Sequence, residues 1–155
     1  MTQKGDWLVL QGTRVPGVRH MDESEQIRRT QPYLLLIVDD DPMIRLVARQ
    51  TLESVGFEIV EAECGEDGIE AFGRLRPDLV LLDVDMPDLD GFEVCSAIRS
   101  KTAGKHVPIL ILTGLNDIDS IDRAYQVGAT DFVSKPLNWT ILLQRIRYKI
   151  GRAHV

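Results

Sequence analysis

Cysteine, histidine and long apolar runs are all scarce in this chain, and each shortage removes a class of protein. The 155 residues include two cysteines, Cys64 and Cys95, which argues against a disulfide framework, and neither sits in a metal-binding spacing. His20, His106 and His154 are scattered, so no histidine cluster offers catalysis or metal ligation. The longest apolar runs, such as LVLL at 79–82 and ILIL at 109–112, are far too short to span a bilayer. Near the N-terminus WLVL (7–10) is broken by Gln11 and Gly12, leaving no stretch of signal-peptide length. Internal repeats and low-complexity tracts are also missing. A soluble cytoplasmic protein with no membrane partner is the expectation.

Basic charge is short too. The net charge of −6 disfavours a generic nucleic-acid surface, so no direct nucleic-acid contact is expected. The imbalance is local. Residues 1–32 carry five Lys/Arg and four Asp/Glu, and the remainder carries thirteen and twenty. Residues 1–32 also lack a sustained hydrophobic period, apart from a possible short helix at 22–30, and read as a flexible N-terminal extension.

From Tyr33 the pattern turns regular, with 44% hydrophobic residues in the chain supporting one well-cored domain over 33–150 and a short tail at 151–155. YLLLIVDD (33–40) is an apolar run ending in acid, as for a strand covered on both faces. Asp41 and Pro42 read as a helix cap and first turn, and Ile44, Val47, Ala48, Thr51, Leu52 and Val55 follow at helical spacing up to Gly56. FEIVEA (57–62), DLVLLD (78–83), VPILILTG (107–114) and DFVSKP (131–136) supply four more strands. Helices are expected at 65–75, 91–100, 116–128 and 138–150. Five strands alternating with five helices require an α/β fold: a parallel sheet, doubly wound, with helices on both faces.

Loops at the carboxyl ends of such strands form the functional edge. If the first and third strands are neighbours, Asp39, Asp40 and Asp83 converge there. Three crowded carboxylates raise one another's pKa unless a cation neutralises them, and such an oxygen set suits Mg²⁺. The fourth strand ends in Thr113 and the fifth in Lys135. Asp83 is then the candidate nucleophile for a phosphoryl group, with Thr113 and Lys135 stabilising its oxygens. Taken singly, each of these residues reads as an ordinary cap, turn former or surface group. Their joint occurrence at strand ends reverses the odds. Asp41, Asp88 and Asp90 read as caps or turn residues.

The set VDDD (38–41), LLDVDMPDLDG (81–91), ILTG (111–114) and FVSKP (132–136) closely resembles the receiver domain of two-component response regulators. The resemblance covers about residues 33–150. It implies the flavodoxin-like strand order 2-1-3-4-5. It also implies that Asp83 is the phosphoacceptor and that Asp39 and Asp40 hold Mg²⁺ with the backbone carbonyl of Asp85. Thr113 and Phe132 take the switch positions, and the Lys135–Pro136 bond is cis. The phosphodonor implied is a sensor histidine kinase or histidine phosphotransfer protein. Such a module is no turnover enzyme: it is phosphorylated and dephosphorylates itself. It signals through the face made by the fourth helix, fifth strand and fifth helix, which dimerises or controls an output domain. The last helix resembles those of receivers that run on into diguanylate cyclase domains.

Two alternatives compete. Asp83-Val84-Asp85 also resembles the DxD of haloacid-dehalogenase-like phosphatases, but residues 136–155 contain no acidic pair, and that DxD normally ends the first strand. A receiver that has lost phosphorylation and serves as a plain interaction module is the other, and the complete residue set argues against it.

Overall fold

Side-chain alternation along five short strands decides the architecture. The computed structural model describes residues 31–115 and 117–153. The extension expected over 1–32 therefore lies outside the described residues, save for Gln31 and Pro32. Strands β1 (Leu34–Val38), β2 (Glu58–Ala62), β3 (Leu79–Asp83), β4 (Ile109–Thr113) and β5 (Asp131–Ser134) form one sheet in the order β2-β1-β3-β4-β5, and every pairing is parallel. Helices α1 (Pro42–Glu53), α2 (Gly65–Leu75), α3 (Gly91–Arg99), α4 (Ile118–Gln126) and α5 (Trp139–Ala153) connect and follow them.

Successive strand residues point to opposite faces, and the core divides accordingly. Leu35, Ile37, Leu79, Leu81, Leu110 and Leu112 pack with Ala48 and Leu52 of α1 and with Leu142, Ile146 and Ile150 of α5. Leu36, Val38, Val80, Leu82, Ile109 and Ile111 pack with Phe72 of α2, Phe92 and Ile98 of α3 and Ala124 of α4. Two apolar faces explain why β3 and β4 are continuous hydrophobic runs up to Asp83 and Thr113, with every residue buried.

The element boundaries carry two differences from the sequence pattern. Val55 is exposed and lies beyond α1, because the Gly56 and Phe57 amides return to the carbonyls of Glu53 and Leu52. Gly56 has φ +100°, so the closure is of the Schellman type and Val55 falls within the turn. At the other end α5 runs on to Ala153, so the expected tail is helical through that residue. Arg152 Nη1 donates to Tyr148 Oη at 3.0 Å, one turn back, and supports the helix across Gly151.

Candidate functional site

Parity places three side chains together. Asp39 continues the alternation of Leu35 and Ile37, Asp83 that of Leu79 and Leu81, and Lys135 that of Val133. All three therefore leave the carboxyl edge of the sheet on the side of α1 and α5, Asp39 and Asp83 at the point where the chain order reverses between β1 and β3, and Lys135 from the edge strand β5. Carboxylate oxygens of Asp39, Asp40 and Asp83 lie within 4.8 Å of one another. Lys135 Nζ is 2.7 Å from Asp83 Oδ1 and 3.4 Å from Asp39 Oδ2.

Local structure holds each group in place. The Asp39 amide adds a last rung to β2 by donating to the Ala62 carbonyl at 3.1 Å. Asp39 Oδ1 accepts from the Asp41 amide at 2.9 Å, which turns the chain into α1. Asp41 itself caps α1 by accepting from the Met43 amide, as its sequence context predicts. Asp40 stands exposed at this turn. Beyond β3 the Val84 carbonyl accepts from the amides of Met86 and Gly91, folding the loop back on itself. A Cβ at Gly91 would strike the Asp83 carbonyl oxygen, so only glycine fits there. Asp90 and Glu93 complete a capping box on α3. Asp88 takes a left-handed turn conformation at φ 67°. Both residues are structural, in keeping with their turn chemistry.

The remaining expected residues are spread around this cluster. Thr113 is buried, and its hydroxyl accepts from the Leu115 amide at 2.9 Å. Its carbonyl accepts from the Lys135 amide at 2.7 Å, which ties the ends of β4 and β5 together, and the Lys135–Pro136 bond is cis. Phe132 is half-buried against the core on the α2–α4 side. Asp85 is exposed, two residues past Asp83. Arg45 of α1 also reaches the cluster, donating from Nη1 to the Asp39 carbonyl at 2.6 Å. Nothing in the sequence separates it from Arg49, the other basic residue of that helix, so the spacing of side chains does not reveal it.

Burial dominates the electrostatics. Removal from water, reinforced by the nearby Asp39 charge, pushes Asp83 up to about 6 even though Lys135 pulls the other way. Burial likewise raises Asp39, against the opposing pull of the Asp41 amide and Lys135. For Lys135, burial disfavours the ammonium, but Asp83 and Asp39 outweigh it and hold its pKa above the ordinary value. An all-oxygen set with two buried carboxylates and one exposed carboxylate fits Mg²⁺, which keeps several waters.

Fold and site together define a flavodoxin-like α/β domain with a lysine-bridged acidic pocket at its switch point. The pattern of the response regulator receiver domain matches residues 35–147. Among relatives, the transcriptional regulatory protein AfsQ1 of Streptomyces coelicolor is 39% identical over 118 residues, which are 76% of this chain and 51% of that protein. The DNA-binding dual master transcriptional regulator RpaA of Synechocystis is 35% identical, over 76% of this chain and 49% of its own length. Chemotaxis protein CheY4 of Vibrio cholerae superposes with a TM-score of 0.73 at 32% identity, covering 76% of this chain and 98% of that one. The signal receiver domain of a signal transduction histidine kinase from Syntrophus aciditrophicus gives a TM-score of 0.72 at 28% identity, covering 77% and 90%.

The chain belongs to the response regulator receiver domain family of two-component signal transduction. It spans about half the length of the curated relatives it matches. Response regulators are in general signalling proteins rather than turnover enzymes, and the haloacid-dehalogenase reading finds no support. Among the described residues no helix is long and apolar enough to cross a membrane.

Proposed function

We propose that the domain over 33–150 is a phosphorylation-controlled switch in which Asp83 accepts a phosphoryl group from a phosphohistidine on a sensor kinase or phosphotransfer protein. The observation that carries this reading is the meeting of Asp39, Asp40 and Asp83 within 4.8 Å, with Lys135 Nζ at 2.7 Å from the Asp83 oxygen. An Asp83 oxygen attacks phosphorus, the O–P bond forms, and the P–N bond of the donor breaks with its electron pair leaving on the imidazole. Lys135 stabilises the charge gathering on the phosphoryl oxygens. Asp39, Asp40 and Asp83, with the Asp85 carbonyl, would hold Mg²⁺, which neutralises the phosphoryl oxygens when bound. Hydrolysis of the acyl phosphate at Asp83 returns the domain to rest.

Thr113 and Phe132 carry the change outward. The Thr113 hydroxyl, now bonded to the Leu115 amide, exchanges that partner for a phosphoryl oxygen, and Phe132 repacks. The output face is α4–β5–α5, where Ile118, Tyr125, Ile141 and Tyr148 are large exposed hydrophobic residues. Relatives twice as long, one of them named as DNA-binding, support control of an output domain in a longer chain, and dimerisation through the same face is the other route. A cytoplasmic location fits such a role, with residues 1–32 as an N-terminal extension and α5 running past the domain boundary to Ala153. Incubation with acetyl phosphate and Mg²⁺, read by intact mass, tests the proposal. Wild type gains one phosphoryl group and Asp83→Asn gains none; an unmodified wild type would leave the plain interaction module standing instead.

A further inference from the structure

The carbonyl that Arg45 grips belongs to the peptide joining Asp39 to Asp40. The tilt of that plane sets ψ of Asp39 and φ of Asp40, and so the aim of the Asp40 carboxylate. Asp40 is the exposed member of the trio, with the least packing to direct it. Arg45, by contrast, is firmly held. Its side chain is only 15% exposed, and Nε pairs with Glu61 Oε1 at 3.0 Å. Glu61 is in turn bound by Arg49 Nε at 2.6 Å, and Arg49 Nη1 reaches Glu53 at 2.6 Å. A chain of ion pairs along α1 and β2 thus ends on one peptide oxygen of the site.

Building on the function proposed above, we propose that Arg45 is a positioning residue that fixes the Asp39–Asp40 peptide and so prepares the acidic pair to bind a divalent cation. Outer-sphere partners orient ligands in this way at metal sites generally. The guanidinium is also a positive charge close to the acids. Were charge its main effect, removing it would tighten cation binding; removing a positioning bond weakens it. The two roles differ in sign.

Mn²⁺ binding to the full chain, followed by the loss of free-ion signal in electron paramagnetic resonance, separates them. Arg45→Gln weakens binding by about tenfold, in the range for lost outer-sphere partners. Arg49→Gln breaks the neighbouring pair but leaves the Asp39 carbonyl alone, and stays close to wild type. Arg45→Lys keeps the charge but loses the planar fork, and recovers only part of the affinity. Unchanged or tighter binding by Arg45→Gln overturns the proposal. Should that variant not fold, Arg45→Lys decides: weaker binding supports the role, and wild-type binding overturns it. A wild type that binds no Mn²⁺ and takes no phosphoryl group removes both this inference and the function it rests on. A wild type that does both beside an indifferent Arg45→Gln removes this inference alone.

Discussion

Lys135 Nζ bridges Asp83 Oδ1 at 2.7 Å and Asp39 Oδ2 at 3.4 Å, so one ammonium from β5 spans acids from β3 and β1. The ammonium offsets part of the charge of two buried carboxylates.

Lys135→Met removes that charge while keeping much of the apolar stem. Acyl-phosphate formation from acetyl phosphate should slow by about 100-fold, the scale for loss of one preorganised electrostatic donor. The time course of intact-mass gain measures it, and a rate near wild type would remove Lys135 from the chemistry.

Attack requires the ionised form of Asp83, whose pKa is pushed up to about 6. Phosphorylation at low Mg²⁺ should therefore fall as pH drops through about 6. At saturating Mg²⁺ the cation favours the carboxylate, and the fall should move to lower pH. A profile with the same midpoint at both concentrations contradicts a shared ion.

Stability should show the opposite sign. A carboxyl whose folded pKa lies above its unfolded value costs stability once pH exceeds the folded pKa, and the cost vanishes below the unfolded pKa. Without divalent cations Asp83→Asn should then be more stable than wild type at neutral pH, by about 3 kcal/mol for a carboxyl pushed up to about 6. The gap should close on acidification from pH 6 towards 4 as Asp83 takes its proton. Urea unfolding across that window checks it; saturating Mg²⁺ should shrink or reverse the gap, since only wild type keeps all three carboxylates.

Two glycines should respond in contrary ways. Gly91→Ala drives a methyl group into the Asp83 carbonyl and the Val84 Cα, and should cost about 1–3 kcal/mol while slowing phosphorylation. Gly73, inside α2 with nothing near its missing Cβ, should gain about 0.4–1 kcal/mol on substitution by alanine and leave phosphorylation untouched. Thermal unfolding with the mass assay reads both.

Strands and helices were visible in the sequence because their signals are local: apolar runs ended in acid, and Asp41, Pro42 and Asp90 announced helix starts. The convergence of Asp39, Asp40 and Asp83 depended on β1 and β3 being neighbours, which the match to a known family implied and the sheet order shows. Boundaries that rest on backbone closure were less legible. Val55 fits the helical period yet falls in the turn made by Gly56, and α5 outlasts its apolar stripe, with Arg152 reaching back to Tyr148 one turn earlier. Arg45 was invisible for a different reason: its partner at the site is a backbone oxygen, which leaves no mark on the spacing of side chains.

The common parity of Asp39, Asp83 and Lys135 limits how this domain tolerates insertions and deletions. Adding or deleting one residue within β1, β3 or β5 would carry the terminal side chain through the sheet to the opposite layer, even if the hydrophobic character of the strand survived. Length changes in the loops at the far edge carry no such penalty, so lineages of this chain should vary there and keep the residue count of these three strands.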